Sequence, residues 1–273
     1  LHLGPRTFDE LSGDVVQNVA YVISNQRQSK ACATYYRLVD GVNCADKQRI
    51  FLSNSNRYPN INQNNFNNIP GFPIGYWVSE NMLLNFTESS VGEHAVVKIG
   101  MGTGKNDLFL RKWWEVVNMQ ISTSLTSISQ LYTSSAKYYP YNKGGEYRLW
   151  YGNIVDVVWY DDRGRDLMNQ MSGHRENGGY DYYFNEGLTW SFISSGRLGI
   201  RYMPSGCLFD VAGSSLFTKN INLSYILGLL STKVAYTILK ILNPTINFQA
   251  GNIKSVPCIV ENEDNIISAV KNN

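Results

Sequence analysis

HAVVKIG (94–100), LFLRKWWEVV (108–117), EYRLWYG (146–152), IVDVVWY (154–160), TWSFI (189–193) and RLGIRY (197–202) are short Val, Ile, Trp and Tyr runs broken by glycine-rich turns. β-Branched and aromatic side chains suit a half-buried pleated surface, so their spacing predicts a mainly β body with irregular loops. After Asp210 the pattern turns helical. Asn222 or Ser224 is suited to cap a helix over Leu223–Leu230, a second helix follows over Thr232–Leu242, and Asn243-Pro244 ends it. Glu263–Lys271, acidic at its start and apolar at Ile266, Ile267 and Val270, reads as the opening turns of a further helix.

Upstream, DVVQNVAYVIS (14–24) and ACATYYRLV (31–39) flank the polar stretch Asn25–Lys30 and read as an antiparallel strand pair. A two-stranded hairpin is marginal alone, so the pair is expected to close a larger domain whose body precedes Leu1. The Asn-rich, proline-interrupted tract Ser53–Pro73 reads as a solvated linker. The expected organisation is therefore a strand pair at 1–52, a linker at 53–73 and a domain at 74–273, both chain ends looking cut; the fold class is α+β.

The 273 residues suffice for one large or two ordinary domains, and a 43% apolar, 13% aromatic composition supplies a core. A net charge of +2 neither announces nor excludes a nucleic-acid partner. Cys32, Cys44, Cys207 and Cys258 lack paired spacing, which points to reduced thiols in the cytoplasm and away from zinc or a disulfide framework. No signal-peptide pattern stands at Leu1–Pro5. The most apolar stretch, Leu223–Leu242, carries Lys233 and Lys240, so a buried helical pair is expected and no membrane partner.

No catalytic constellation emerges. Gly100-Met101-Gly102-Thr103-Gly104-Lys105 resembles a phosphate loop, but a Walker loop needs glycine where Ile99 stands and Ser or Thr where Asn106 stands. Lys105 also occupies the last glycine position of a dinucleotide motif. Asn243-Pro244-Thr245-Ile246 lacks the second proline and the aromatic residue of an adenine methyltransferase loop. His2, His94 and His174 have no metal-ligand spacing, and Asp161-Asp162 reads as a turn because adjacent strand residues face opposite ways. The expectation is no catalytic, cofactor or metal site.

What remains is a set of polar and basic loop residues: Thr103, Lys105, Asn106, Arg111, Lys143, Arg148, Arg175, Arg197 and Arg201, with Arg163 and Arg165 beside them. Arginine pairs bidentately with guanine, asparagine with adenine, and lysine positions phosphate, so these types suit a DNA reader. The competing interpretation is ordinary solvated charge, since residues 98–201 hold 12 basic and 10 acidic groups.

Several segments together carry a resemblance: FDELSGDVVQNVAYVI (8–23), IPGFPIGYWVSE (69–80), GMGTGKNDLFLRKWWEV (100–116), KYYPYNKGGEYRLWYGN (137–153), YYFNEGLTWSFISSG (182–196), LFDVAGSSLF (208–217) and ILGLLSTKVAYTILKILNPTINFQAGNIKSVP (226–257). In order, they resemble the PglX-type adenine-specific DNA methyltransferases of BREX phage-defence systems and related single-chain restriction-modification enzymes. The resemblance implies that residues 1–52 are the closing strands of a methyltransferase domain. It implies that 74–273 form a mainly β target-recognition domain with a helical C-terminal section. The S-adenosylmethionine site and catalytic loop would lie upstream, in the parent enzyme. The implied partners are double-stranded DNA, the catalytic domain in cis and other phage-defence proteins. Lys105-Asn106-Asp107 departs from the family's usual pattern here. Two alternatives stay open: the specificity part of a fused restriction endonuclease and methyltransferase, and, from another class, a carbohydrate-binding module using its aromatic faces.

Overall fold

The computed structural model describes residues 1–10, 16–25, 32–194 and 196–272. Contacts divide the chain into two units, 1–87 and 88–273.

In the first unit, β1 (His2–Gly4) pairs antiparallel with β2 (Asn18–Val19), and β3 (Cys32–Tyr36) pairs antiparallel with β4 (Arg57–Asn62) across a bulge at Ala33/Tyr35. Helix α1 (Cys44–Ser53) lies between them; the Asn43 side chain caps its start and Asn54, at φ 54°, ends it in the left-handed region that asparagine tolerates. Helix α2 (Glu80–Asn85) is capped by Ser79. The core is small and aromatic. Tyr76 stacks on Tyr35 at 4.7 Å and its hydroxyl lies 3.0 Å from His2 Nδ1, with Leu38, Phe66, Ile69 and Leu83 buried in the same unit.

The expected hairpin is paired differently. Strand β3 takes as its partner β4, inside the tract read as a linker, while β2 pairs with β1; residues 14–15 and 26–31 of the expected pair lie outside the described residues. The reason is visible in the tract itself. Tyr58 and Ile61 are half-buried and Phe66 and Ile69 buried, while its asparagines occupy turn positions: Asn60 at φ 56°, and Asn62 capping the 3-10 turn Gln63–Asn68. Four apolar anchors suffice where asparagine supplies the turns.

The second unit begins with α3 (Val91–His94), opened by a Ser90/Glu93 capping box, followed by β5 (Ala95–Lys98), β6 (Gly102–Thr103), α4 (Asn106–Phe109) and β7 (Leu110–Lys112). Then come β8 (Tyr138–Asn142), β9 (Asp156–Trp159), α5 (Asp162–Asn169) and β10 (His174–Arg175). The remaining strands are β11 (Gly187–Thr189), β12 (Arg201–Met203), β13 (Leu208–Phe209) and β14 (Ser215–Thr218). Helices α6 (Leu223–Ser231), α7 (Lys233–Leu242), α8 (Ala250–Lys254) and α9 (Glu263–Lys271) complete it.

Two four-stranded sheets organise this unit: β12-β11-β14-β5, entirely antiparallel, and β13-β8-β9-β7, in which β13 runs parallel to β8. The core holds Tyr139, Tyr141, Tyr160, Tyr183, Phe184 and Phe209, and the Tyr139 and Tyr141 hydroxyls meet polar partners, without which their burial would be costly. Tyr141 OH, for example, reaches Met101 O at 2.7 Å and Asp210 Oδ2 at 2.8 Å. Buried Trp190 likewise donates to Phe248 O at 2.8 Å. The chain is α+β, with a helical closing section.

Helices α6, α7 and α9 fall where periodicity and caps place them, with Asn222 and Thr232 as N-caps and Asn243 as the terminator. Helices α6 and α7 bend by 74°, and among the described residues no single helix is long and apolar enough to cross a membrane. Two local expectations change. Asp161 does not sit in a simple turn: its carboxylate caps α5, accepting from Gly164 N at 2.7 Å. Residues 146–152 do not form a strand, because Gly145, Trp150, Gly152 and Asn153 all take positive φ and interrupt the extended repeat.

Candidate nucleic-acid interface

The glycine-rich turn at 100–106 is built for close backbone approach. A Cβ on Gly100 would meet Phe209 O at 1.9 Å, and one on Gly104, at φ 77°, would meet His174 N at 2.7 Å. Glycine therefore lets β6 pair with β10, Thr103 opposite His174 and Gly102 opposite Arg175. Thr103 is buried, and its hydroxyl donates to Asn106 Oδ1 at 2.7 Å. That bond orients the Asn106 amide and leaves its NH2 without a partner among the described residues. Lys105 is exposed and likewise unpaired.

Other predicted residues near this turn are partly committed to the fold. Arg111 Nη1 donates to Asp107 O (2.8 Å) and Leu110 O (2.6 Å), closing α4, and Arg175 Nη1 donates to Ser172 O (2.9 Å) and His174 O (2.6 Å). His174 Nδ1 donates to Gly102 O at 2.8 Å, and its Nε2 lies 3.4 Å from Glu176. A cavity of about 160 Å³ opens beside them, lined by Tyr160, Arg165, Asn169, His174, Glu176 and Tyr180. Arg165 is held by Asp162 and lies over the Tyr132 and Tyr160 rings, and Arg163 lies over Trp159.

Asp210 ties this turn to a second basic group. Its carboxylate accepts from Tyr141 OH and from Ala212 N, both at 2.8 Å, and Lys143 Nζ stands 3.7 Å away. Burial, aided by the Asp210 charge, holds the Tyr141 hydroxyl well above the usual tyrosine range. From Lys143 the chain enters the loop 144–153, closed by Asn153 Nδ2 donating to Glu146 O at 2.7 Å. The loop presents Arg148 to solvent between Tyr147 and Tyr151, which are 53% and 59% exposed. The strand pattern of 146–152 hides these two surface tyrosines in the sequence; the glycines at 144, 145 and 152 are the signal that marks a loop.

Arg197 is exposed and its side chain has no partner among the described residues. Arg201 is fully buried, which removes it from the open surface on which the sequence placed it. It lies on edge strand β12, opposite Thr189 on one side and bridged to Trp150 of the 144–153 segment on the other, and the segment laid along that edge accounts for its burial. The indoles Trp113 and Trp114, 5.6 Å apart, are exposed on a 3-10 turn that follows the run's one extended stretch, Leu110–Lys112.

Among the described residues no three His, Cys, Asp or Glu side chains are grouped to hold a metal ion. The four cysteines are free, and burial pushes the Cys207 thiol up to about 12. What this surface offers is unpaired donors: an oriented amide at Asn106 and guanidinium or ammonium groups at Lys105, Arg148 and Arg197.

No family model matches the chain. It is, however, 35% identical to "Adenine-specific methyltransferase PglX" of Lacticaseibacillus casei (strain Zhang), over 97% of this chain and 23% of that protein. It is 36% identical to "Adenine-specific methyltransferase BrxX" of Escherichia coli O9:H4 (strain HS), over 96% of this chain and 21% of that protein. The chain is homologous to a segment of these PglX and BrxX methyltransferases. With 97% of its length matched to PglX, both units fall within the similarity. The glycine turn and the 144–153 loop are therefore features of a PglX-related segment spanning between 21% and 23% of the relatives' length.

Proposed function

We propose that this chain reads DNA sequence for a site-specific adenine-N6 DNA methyltransferase of phage defence. The unit 88–273 holds the duplex, and residues 1–87 include the closing strands of the catalytic domain. The parent enzyme supplies the S-adenosylmethionine site and the catalytic loop in cis and acts in the cytoplasm, where its DNA is. The observation that carries this reading is the oriented, unpaired Asn106 amide beside Lys105, on a turn locked by glycine contacts, in a segment homologous to adenine methyltransferases.

Asparagine can take both hydrogen bonds on the major-groove edge of adenine, arginine those of guanine, and lysine a phosphate. Asn106, Arg175 and Arg197 are the base-reading candidates, Lys105, Lys143 and Arg148 the phosphate contacts, and Thr103 and Arg111 position the turn. Duplex binding by the full-length enzyme across a salt series tests this. Affinity must fall as salt rises, and a flat response excludes phosphate contact. Mapping methylated adenines in the source genome, with and without the gene, identifies the target; a modified motif that survives deletion refutes the reading.

A further inference from the structure

Among the described residues, the buried side-chain atoms left without a hydrogen-bond partner are Arg201 Nε, Arg201 Nη2 and Asn142 Oδ1. The first two are a matched pair. Nε and Nη2 form one edge of the guanidinium, the edge that takes a carboxylate or phosphate side-on through two parallel hydrogen bonds. The opposite nitrogen is already used: Nη1 donates to Gly199 O at 2.9 Å and to Ser191 Oγ at 3.3 Å, both neutral oxygens.

No acidic group balances this charge among the described residues, and the neighbouring charge that acts on Arg201 is another cation, Arg148. Burial first, and Arg148 second, push its guanidinium down to about 10. Buried charges in folded proteins are ordinarily paired, so a complete, unused bidentate edge beside a second cation describes the binding half of an anion site.

The cover over Arg201 is the irregular segment 144–153. Trp150 N donates to Ile200 O at 3.1 Å, Tyr202 N donates to Trp150 O at 2.7 Å, and Ser191 Oγ donates to Gly145 O at 2.7 Å. Backbone at Gly144, Gly145, Trp150, Gly152 and Asn153 is left-handed, a conformation costly for Trp150 in particular. Those three hydrogen bonds tie this cover to its neighbours, and it carries Arg148 at the surface.

We propose that Arg201 and Arg148 form a receptor for one phosphate-type oxyanion, reached by displacement of the 144–153 loop, and that a DNA backbone phosphate supplies it in the parent enzyme. The DNA half rests on the recognition reading above; the anion half does not. The first test is thermal melting of the chain in inorganic phosphate against chloride at matched ionic strength. Wild type should gain several degrees in a saturable way. Arg201→Met should lose the gain, and Arg201→Lys and Arg148→Ala should reduce it.

Replacing a buried ion by an apolar side chain generally preserves the fold, and Arg148→Ala, at the surface, decides the matter if Arg201→Met does not fold. An absent phosphate-specific gain in wild type, or an undiminished gain in these variants, overturns the site. The second test is duplex binding by the full-length enzyme against salt. Arg201→Met should lower the salt slope by about one without changing base preference. An unchanged slope with an intact phosphate response overturns DNA as the source. If the enzyme binds no duplex at all, the recognition reading fails while the melting result stands.

Discussion

The turn at 100–106 and the loop at 144–153 both depend on left-handed glycines and both carry candidate DNA contacts, but they treat buried charge in opposite ways. Asp210, beside the turn, receives hydrogen bonds from Tyr141 and Ala212 and faces Lys143. Arg201, under the loop, keeps one whole edge unpaired and has a cation for a neighbour. The first arrangement is complete within the fold and rigidifies it. The second is complete only with something added, and the difference separates a scaffold from a receptor.

The strongest way to break this contrast is to strain both backbones. Gly104→Ala places a Cβ 2.7 Å from His174 N at φ 77° and should cost about 3 kcal/mol in urea unfolding. Gly144→Ala meets Ala212 O at 2.6 Å, at φ 82°. If the loop is a displaceable cover, its cost should fall nearer 1 kcal/mol, roughly the backbone conformational penalty alone. Equal losses would show the loop to be as fixed as the turn.

Removing the charges sharpens the contrast next. Asp210→Ala strands Tyr141 OH and Ala212 N and should lose about 2 kcal/mol by the same assay. Arg201→Met removes an uncompensated ion and should leave stability within about 1 kcal/mol of wild type, or raise it. Matching losses for the two would mean that Arg201 is as well satisfied as Asp210.

The buried tyrosines of the second unit's core predict a pH dependence. Burial raises the Tyr141, Tyr160 and Tyr183 hydroxyls above their ordinary value of 10, so the folded state holds protons that the unfolded state gives up. Their contribution is fully present below pH 10 and is lost as pH rises above it. Tyrosinate absorbance should therefore appear together with loss of near-ultraviolet circular dichroism above that pH, and Tyr141→Phe should weaken the slope at a cost of about 1 kcal/mol in neutral buffer. Tyrosinate signal rising while the fold persists would contradict this.

The smallest stability effects belong to the exposed cations. Lys105→Ala, Arg148→Ala and Arg197→Ala should each change unfolding free energy by less than about 0.5 kcal/mol. Each that contacts a phosphate should lower the salt slope of duplex binding by the full-length enzyme by about one. A variant that alters neither quantity carries ordinary solvated charge.

The helical section was legible residue by residue because its signals are local: an N-cap at Asn222, apolar spacing along Leu223–Leu242, and Asn243-Pro244 as a stop. Strands β5 and β9 were legible for the same reason, as was the turn chemistry at Gly100–Gly104. The partner of β3 was not, because pairing joins residues 32–36 to 57–62, and the Asn-rich composition of the second segment masked Tyr58, Ile61, Phe66 and Ile69. Thr103 and Arg201 show the same limit at the site. Side-chain type named both as DNA contacts, and burial made one a positioning group and the other a covered charge.

Sequence by itself determined the α+β class, the order of β body and helical close, the need for glycine at the tight approaches, and the kinship that the ordered segments carry. Tertiary structure alone decided which donors are exposed and which are buried. Exposure and strand register depend on what the rest of the chain lays over a residue, and no window along the sequence contains that information. Arg201 became an anion-site candidate only when β12 took its place opposite Thr189 and the 144–153 loop closed above it.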